Sequence, residues 1–215
     1  MPTFLIILAV LVVIILAAGY YFYRIVVYPK VYPVSETMRI ETENGKLVPA
    51  EWDALPKEEV HITSPYGYDL YALYLPLPGS KKTAIITHGI TWSMYGSVKY
   101  IDMFRKRGWN VLLWDVRHHG RSGGPDSTFG LTEQYDSKAV ADWAFARLGE
   151  GGQVGIHGES LGASLSLMHA GIDPRLAWVI ADCPYSSMEG ILAYHMKKDY
   201  HLPRFPMLTV ASLFF

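Results

Sequence analysis

Five consecutive residues, Gly158-Glu159-Ser160-Leu161-Gly162, offer the clearest chemistry in the chain. A serine with a glycine two residues to either side fits a turn too sharp for side chains at the flanking positions. Val154 to His157 before it reads as a short apolar strand, and Ser160 to Ala170 after it as a helix. A strand-turn-helix of this kind lifts the serine hydroxyl clear of a sheet, where a base can reach it. It also places the Leu161 N–H at a helix N-terminus, aimed at a developing oxyanion. Ser160 is therefore the candidate nucleophile, with Gly158, Glu159 and Gly162 completing the elbow around it. The competing reading is a tight turn with a bystander serine.

An oxyanion hole requires a second N–H, and His88-Gly89-Ile90-Thr91 follows the first strand of the parallel series. Gly89 allows the backbone to approach closely, and the Ile90 N–H is the candidate donor. His88 stands one strand-loop unit too early to be the expected base and is read as shaping that loop. Asp115 to Gly124 (Asp-Val-Arg-His-His-Gly-Arg-Ser-Gly-Gly) follows the next strand. Its paired histidines lack a well-spaced third ligand, so no metal site is assigned. Asp115 and Arg117 are read as a buttress that hydrogen-bonds neighbouring loops. His157 is read as a core histidine. Asp182, at the end of a later strand, is a position where the acid of such a site can stand; here it is read as shaping the loop that follows.

These residues need a scaffold, and the apolar pattern supplies one. Val60 to Ser64 and Asp69 to Leu75 read as two strands joined by Pro65-Tyr66-Gly67-Tyr68. Thr83 to Thr87, Asn110 to Asp115, Val154 to His157 and Trp178 to Ala181 read as further strands, continuous rather than alternating in their apolar character. Helices are expected from about Ser97 to Lys106, Glu133 to Leu148 and Ser160 to Ala170. Continuous apolar strands separated by helices predict an α/β fold, a mostly parallel sheet covered by helices on both faces. Right-handed crossovers then gather the loops after the strands along one edge, where ligand sites form.

The first twenty-odd residues are different. Phe4 to Tyr23 carries no charge and is long enough to cross about 30 Å of hydrocarbon. Tyr20, Tyr21 and Tyr23 cluster beside Arg24 in the manner of an interfacial aromatic belt. A retained anchor is favoured over a cleaved signal peptide, because no basic residue precedes the apolar run. Arg24, Lys30 and Arg39 on its C-terminal side favour a cytoplasmic domain in a single-pass cell-membrane protein. The expected organisation is an anchor over 1–24, an irregular linker over 25–58 interrupted by prolines, an α/β core carrying the candidate nucleophile over 59–187, and the start of a cap over 188–215. The net charge of -1 and the lack of a basic stripe give no reason to expect nucleic acid. Cys183 is the only cysteine, which removes internal disulfides and cysteine-based metal sites. No residue pattern supports a nucleotide, redox or metal cofactor.

The elbow, the His88-Gly89-Ile90-Thr91 loop and the D-x-R-x-H-G-x-S segment from Asp115 to Ser122, in this order, resemble the α/β-hydrolase superfamily. Gly108-Trp109-Asn110-Val111-Leu112, Ile156 to Ala163 and Ile180-Ala181-Asp182-Cys183-Pro184 look most similar to its bacterial membrane-anchored, serine aminopeptidase-like and Bem46-like branch. The resemblance covers about residues 60 to 210. It implies a serine nucleophile, an acyl-enzyme, and hydrolysis of a small ester or peptide-like amide. It also implies an acid and a histidine after later strands. After Ser160 the chain offers only His169, His195 and His201, none behind a final strand, so the sequence is expected to be C-terminally truncated with its triad unfinished. The alternative is a catalytically inactive hydrolase-fold protein or a membrane-tethered interaction module.

Overall fold

The computed structural model describes residues 2–214; Met1 and Phe215, the outermost residues of the expected anchor and cap, lie outside them. The chain divides into two compact units, Lys30–Pro184 and Met1–Pro29 together with Tyr185–Phe215.

The larger unit is built on a six-stranded sheet in the order β1-β2-β4-β3-β5-β6. β1 (Glu58–Thr63) and β2 (Asp69–Leu75) form the antiparallel hairpin that the Pro65–Tyr68 turn signals, and β2 continues antiparallel onto β4 (Asn110–Trp114). From there β4, β3 (Lys82–Thr87), β5 (Gln153–Glu159) and β6 (Trp178–Asp182) run parallel. β3 and β4 are buried almost throughout, as continuous Ala84-Ile85-Ile86 and Val111-Leu112-Leu113 require of strands covered on both faces. On one face Leu73, Leu75, Ile86 and Leu113 pack against Trp52, Tyr95 and Phe104. α5 (Glu133–Leu148), whose buried stripe includes Val140, Ala144 and Leu148, and α6 (Leu161–Ala170) complete the layers.

Two expectations need correction. The stretch over 25–58 is not irregular: it carries α2 (Val34–Glu43) and α3 (Pro49–Ala54). Two of its four prolines start helices instead of breaking them. Pro33 stands at the N-cap of α2 and Pro49 at the first position of α3, where the missing N–H has no helical partner to lose. Both helices belong to the larger unit. Thr37 is fully buried, with its hydroxyl 2.6 Å from that of Ser93, and Trp52 packs edge-on against Tyr95. The helix expected over Ser97 to Lys106 is a 3₁₀ helix (Met94–Tyr100) followed by a short α4 (Ile101–Arg105). The Asp115 carboxylate accepts the Met94 N–H at 2.7 Å, so the segment is captured at its start by the sheet edge rather than winding freely.

In the smaller unit, α1 (Pro2–Val27) is a continuous apolar helix; its Thr3–Val27 stretch is long and apolar enough to cross a membrane. α7 (Met188–Tyr200) is capped by Ser187, whose hydroxyl accepts the Gly190 N–H at 3.1 Å. α8 (Met207–Ala211) lies against α1 at Gly19, where any side chain would meet Val210, and Phe214 packs on Tyr20 and Tyr23.

Leu112 sits fully buried at the centre of the sheet, between Ile85 and Tyr74. Its truncation leaves a cavity that rigid neighbours on both strands fill poorly. Leu112→Ala is expected to cost about 2–5 kcal/mol, lowering the melting temperature in detergent by roughly 5–15 °C. A shift under about 2 °C would show that the centre of the sheet relaxes freely.

Candidate active site

Ser160 stands between β5 and α6 with φ 55° and ψ -113°, a conformation that L-residues rarely hold. Its N–H donates to the Asp182 carbonyl at 2.8 Å, which ties the turn to the end of β6. The flanking glycines make the turn possible for a packing reason. A Cβ on Gly162 would overlap the Thr87 and His88 carbonyl oxygens, and one on Gly158 would overlap the Gly162 carbonyl. α6 therefore begins in backbone contact with the end of β3. Leu161 is the first residue of α6 and is buried.

The loop after β3 meets this turn. A Cβ added to Gly89 would lie 3.5 Å from the Ser160 Cβ, so the Gly89-Ile90 backbone runs directly beside the serine. His88 fixes the loop's course. Its Nδ1 contacts the Gly89 carbonyl at 2.7 Å, and its Nε2 accepts the Val116 N–H at 3.0 Å, which defines the Nδ1–H tautomer. Both ring nitrogens are committed to the backbone. His119 is used in the same way: Nδ1 contacts the Arg117 carbonyl at 2.8 Å, and Nε2 accepts the Thr91 N–H at 3.2 Å. Asp115 joins the two loops, accepting from Met94 N–H and, at 2.9 Å, from Arg121 N–H. Arg117 pairs with Asp126 at 2.7 Å and lies over the Tyr68 ring.

The remaining candidates are distributed as follows. Asp182 accepts from Cys183 Sγ at 3.2 Å and from the Tyr100 hydroxyl at 2.9 Å, and these two bonds hold its carboxyl below the usual carboxylate range. His157 is buried against the Tyr100 and Phe104 rings, and burial lowers its pKa. His169, inside α6, is fully buried between the Ser137 hydroxyl at 2.9 Å and Asp173 at 3.4 Å. His195 pairs with Asp199 within α7, and His201 is that helix's left-handed C-cap.

Beside Ser160 lies a cavity of about 220 Å³, lined also by Ile90, Trp92, Glu41, Lys46, Lys99 and Glu159. Lys99 and Glu159 form an ion pair at 2.7 Å on its wall. The sequence pattern gave no sign of Glu41 or Lys46, because they lie in the stretch read as a linker. The i, i+3, i+4, i+7 spacing of Val34, Thr37, Met38 and Glu41 on one helix face is the signal that would have found Glu41; no local signal marks Lys46.

A family model described as X-Pro dipeptidyl-peptidase (S15 family) matches residues 36–204, most of the chain. The chain belongs to this family. Over 191 residues the S15-family chain is 35% identical to the uncharacterized protein YqkD of Bacillus subtilis, an alignment covering 88% of this chain and 63% of that one. The chain thus spans less than two thirds of that relative's length. Among solved structures, an esterase of Pyrococcus furiosus matches at 26% identity and a TM-score of 0.62, covering 77% of this chain and 65% of that one. A protein of unknown function from Agrobacterium tumefaciens matches at 25% identity and a TM-score of 0.55, over 61% of this chain and 64% of its own. Together with the sheet and the elbow, these place the S15-family chain in the α/β-hydrolase superfamily.

Burial pushes His88 down to about 3 and His119 down to about 4. In the unfolded chain both titrate near 6.5, so below that pH the unfolded state binds more protons than the folded one. Their stabilising effect is complete above about pH 6.5 and is lost as pH falls, at ~1.4 kcal/mol per pH unit for each ring. Burial raises Asp115 to about 6, which acts in the opposite sense: its folded carboxyl gains a proton first as pH falls. For these three groups alone, two rings against one carboxyl leave a net loss of ~1.4 kcal/mol per unit between about pH 6 and 4. The burial-lowered His157 and His169 act in the same sense as the rings, while the burial-raised Glu41 and Asp136 act with the carboxyl. The melting temperature is therefore expected to fall from pH 7 to pH 5, and His119→Gln to flatten that slope. A melting temperature that rises on acidification would contradict the assignment of neutral, backbone-bonded rings.

Proposed function

We propose that the chain carries the nucleophile of a membrane-anchored serine hydrolase acting on an ester or amide. The single observation that carries this reading is Ser160: a serine held at positive φ between a parallel strand and a helix N-terminus, on the wall of a cavity. Strained residues of this kind persist where they serve a function.

In this mechanism Ser160 Oγ attacks the substrate carbonyl carbon and passes its proton to a general base. The carbonyl oxygen becomes an oxyanion, which the N–H groups of Leu161 and Ile90 would hold. Collapse breaks the bond to the leaving group, which takes up the proton, and leaves an acyl-enzyme; water then repeats the attack and frees the acid. Gly89 lets the loop backbone come within reach of that oxyanion. The base and acid are not assigned to any described residue: His88, His119 and His169 spend their ring nitrogens on structural bonds. The Pyrococcus furiosus relative is an esterase and the matching family model a dipeptidyl-peptidase, which supports ester and amide alike as the substrate class.

A fluorophosphonate probe applied to the protein in its native membranes is expected to label Ser160. Ser160→Ala should remove the label and lower hydrolysis of short p-nitrophenyl esters by ~10³-fold or more. Absence of label from the native protein would favour the inactive, binding-module reading instead.

For α1, we propose a single membrane span over 4–23, with the hydrolase domain on the cytoplasmic side. Its uncharged length and the basic Arg24, Lys30 and Arg39 that follow support this. The protein is expected to stay with membranes through alkaline carbonate extraction, and right-side-out cells should protect the domain from added protease. Release into the carbonate supernatant would eliminate the anchor.

A further inference from the structure

The smaller unit sets a second apolar segment beside the end of α1. Phe205 to Phe214 contains no charged residue, and α8, within it, lies on the last turns of the long apolar helix. Gly19 is a point of close approach: a Cβ there would stand 2.5 Å from Val210 Cγ1 and 3.1 Å from the Ala211 nitrogen. Phe214 meets Tyr20 edge-on at 5.4 Å and tilts against Tyr23 at 6.1 Å. Tyr200, at the end of α7, meets Phe22 edge-on at 5.3 Å. These contacts fall between Gly19 and Tyr23, about 6 Å of helix axis at ~1.5 Å per residue. That level decides what surrounds them. In a helix spanning 4–23, Tyr20, Tyr21 and Tyr23 sit at the boundary of hydrocarbon and headgroups, where amphipathic rings collect. Tyr200 and Phe214 join the same ring cluster from the neighbouring segments, so α8 is held at that depth. Cations accompany the cluster: Arg24, Lys197 and Lys198 are exposed and suit lipid phosphates. Leu208 and Ala211 are buried, whereas Phe205 and Leu213 are 73% and 72% exposed.

We propose that α8 and the turns flanking it form an interfacial foot, inserted shallowly into the leaflet at the C-terminal end of α1, with Phe205 and Leu213 among the upper acyl carbons. It is a membrane contact additional to the span, and it rests on the reading of α1 as a span for its depth. Lipid is the occupant of this face because the helix carrying the face is the element that enters the bilayer. The shared axis of about 6 Å agrees with the ~5–10 Å by which an interfacial helix sinks into the headgroup and acyl boundary. Apolar side chains left bare at that level meet acyl chains, and the uncharged run around them removes the desolvation cost that a charge would add.

The experiment uses the full gene product reconstituted into liposomes, with Cys183→Ser removing the cysteine of this chain. An environment-sensitive NBD dye is attached in turn at Ser212→Cys beside Leu213, at Val13→Cys within the span, and at Glu150→Cys on an exposed turn of the larger unit. The quenchers are lipids carrying a nitroxide near the headgroup, lipids carrying it near the bilayer centre, and aqueous iodide. The dye at Ser212→Cys is expected to lose most of its emission to the headgroup-level nitroxide, less to the central one and little to iodide. Val13→Cys should answer to the central nitroxide, and Glu150→Cys to iodide alone. Phe205→Gln combined with Leu213→Gln should expose the Ser212→Cys dye to iodide and leave the Val13→Cys dye unchanged; should that variant fail to fold, the profile without it decides alone. A Ser212→Cys dye open to iodide while Val13→Cys is lipid-quenched overturns the foot and leaves the span. Shielding from iodide without quenching by either lipid means that protein covers the face, and a stronger response to the central nitroxide means full insertion. Either result overturns the proposal, as does a folded double variant that behaves like its parent. Headgroup-level quenching at Ser212→Cys with Val13→Cys untouched by lipid would end the span reading and leave the lipid contact standing.

Discussion

The close approach of α6 to the end of β3 is the contact on which the rest of the site depends. It exists because Gly158 and Gly162 present no side chain to the backbone they cross, so helix and strand meet at carbonyl distance. With that contact made, the chain has no room for a gradual turn between β5 and α6, and Ser160 takes the strain as a positive φ. The serine is then left half-buried at the strand ends while Gly158, Leu161 and Gly162 are buried, the arrangement a parallel sheet offers at its carboxyl edge.

Keeping that edge rigid falls to polar groups taken out of water. His88, His119 and Asp115 are all buried, and each spends its acceptors on backbone N–H groups of a neighbouring loop. Loops lack the repeating ladder that satisfies strands and helices, so side chains must do it for them. Neutral imidazoles suit the task because each donates at one nitrogen and accepts at the other. The cost is a fold that weakens when acid forces a charge onto them. Glu41 differs from this group: it is equally buried, yet its Oε2 has no hydrogen-bond donor among the described residues.

The hairpin, the four parallel strands and the elbow were legible in the sequence because local rules fix them. Ala84-Ile85-Ile86 and Val111-Leu112-Leu113 are continuous where a doubly covered strand must be, and the glycines around Ser160 are required by a turn only five residues long. The helices over 34–54 were missed for an equally physical reason. A proline at a helix start and a proline that breaks a helix are the same letter, and only the docking of Thr37 and Trp52 on the core tells them apart.

By itself, then, the sequence determined the succession of strands and helices from β1 to β6, the candidate elbow serine and the apolar run at the front, because each depends on residues close together in the chain. Tertiary structure alone decided which distant groups share the wall around that serine. Glu41 and Lys46 lie more than a hundred residues before Ser160, and Lys99 about sixty before Glu159. No local periodicity can encode such a meeting; it follows from the strand order and from the packing of α2 against the sheet edge.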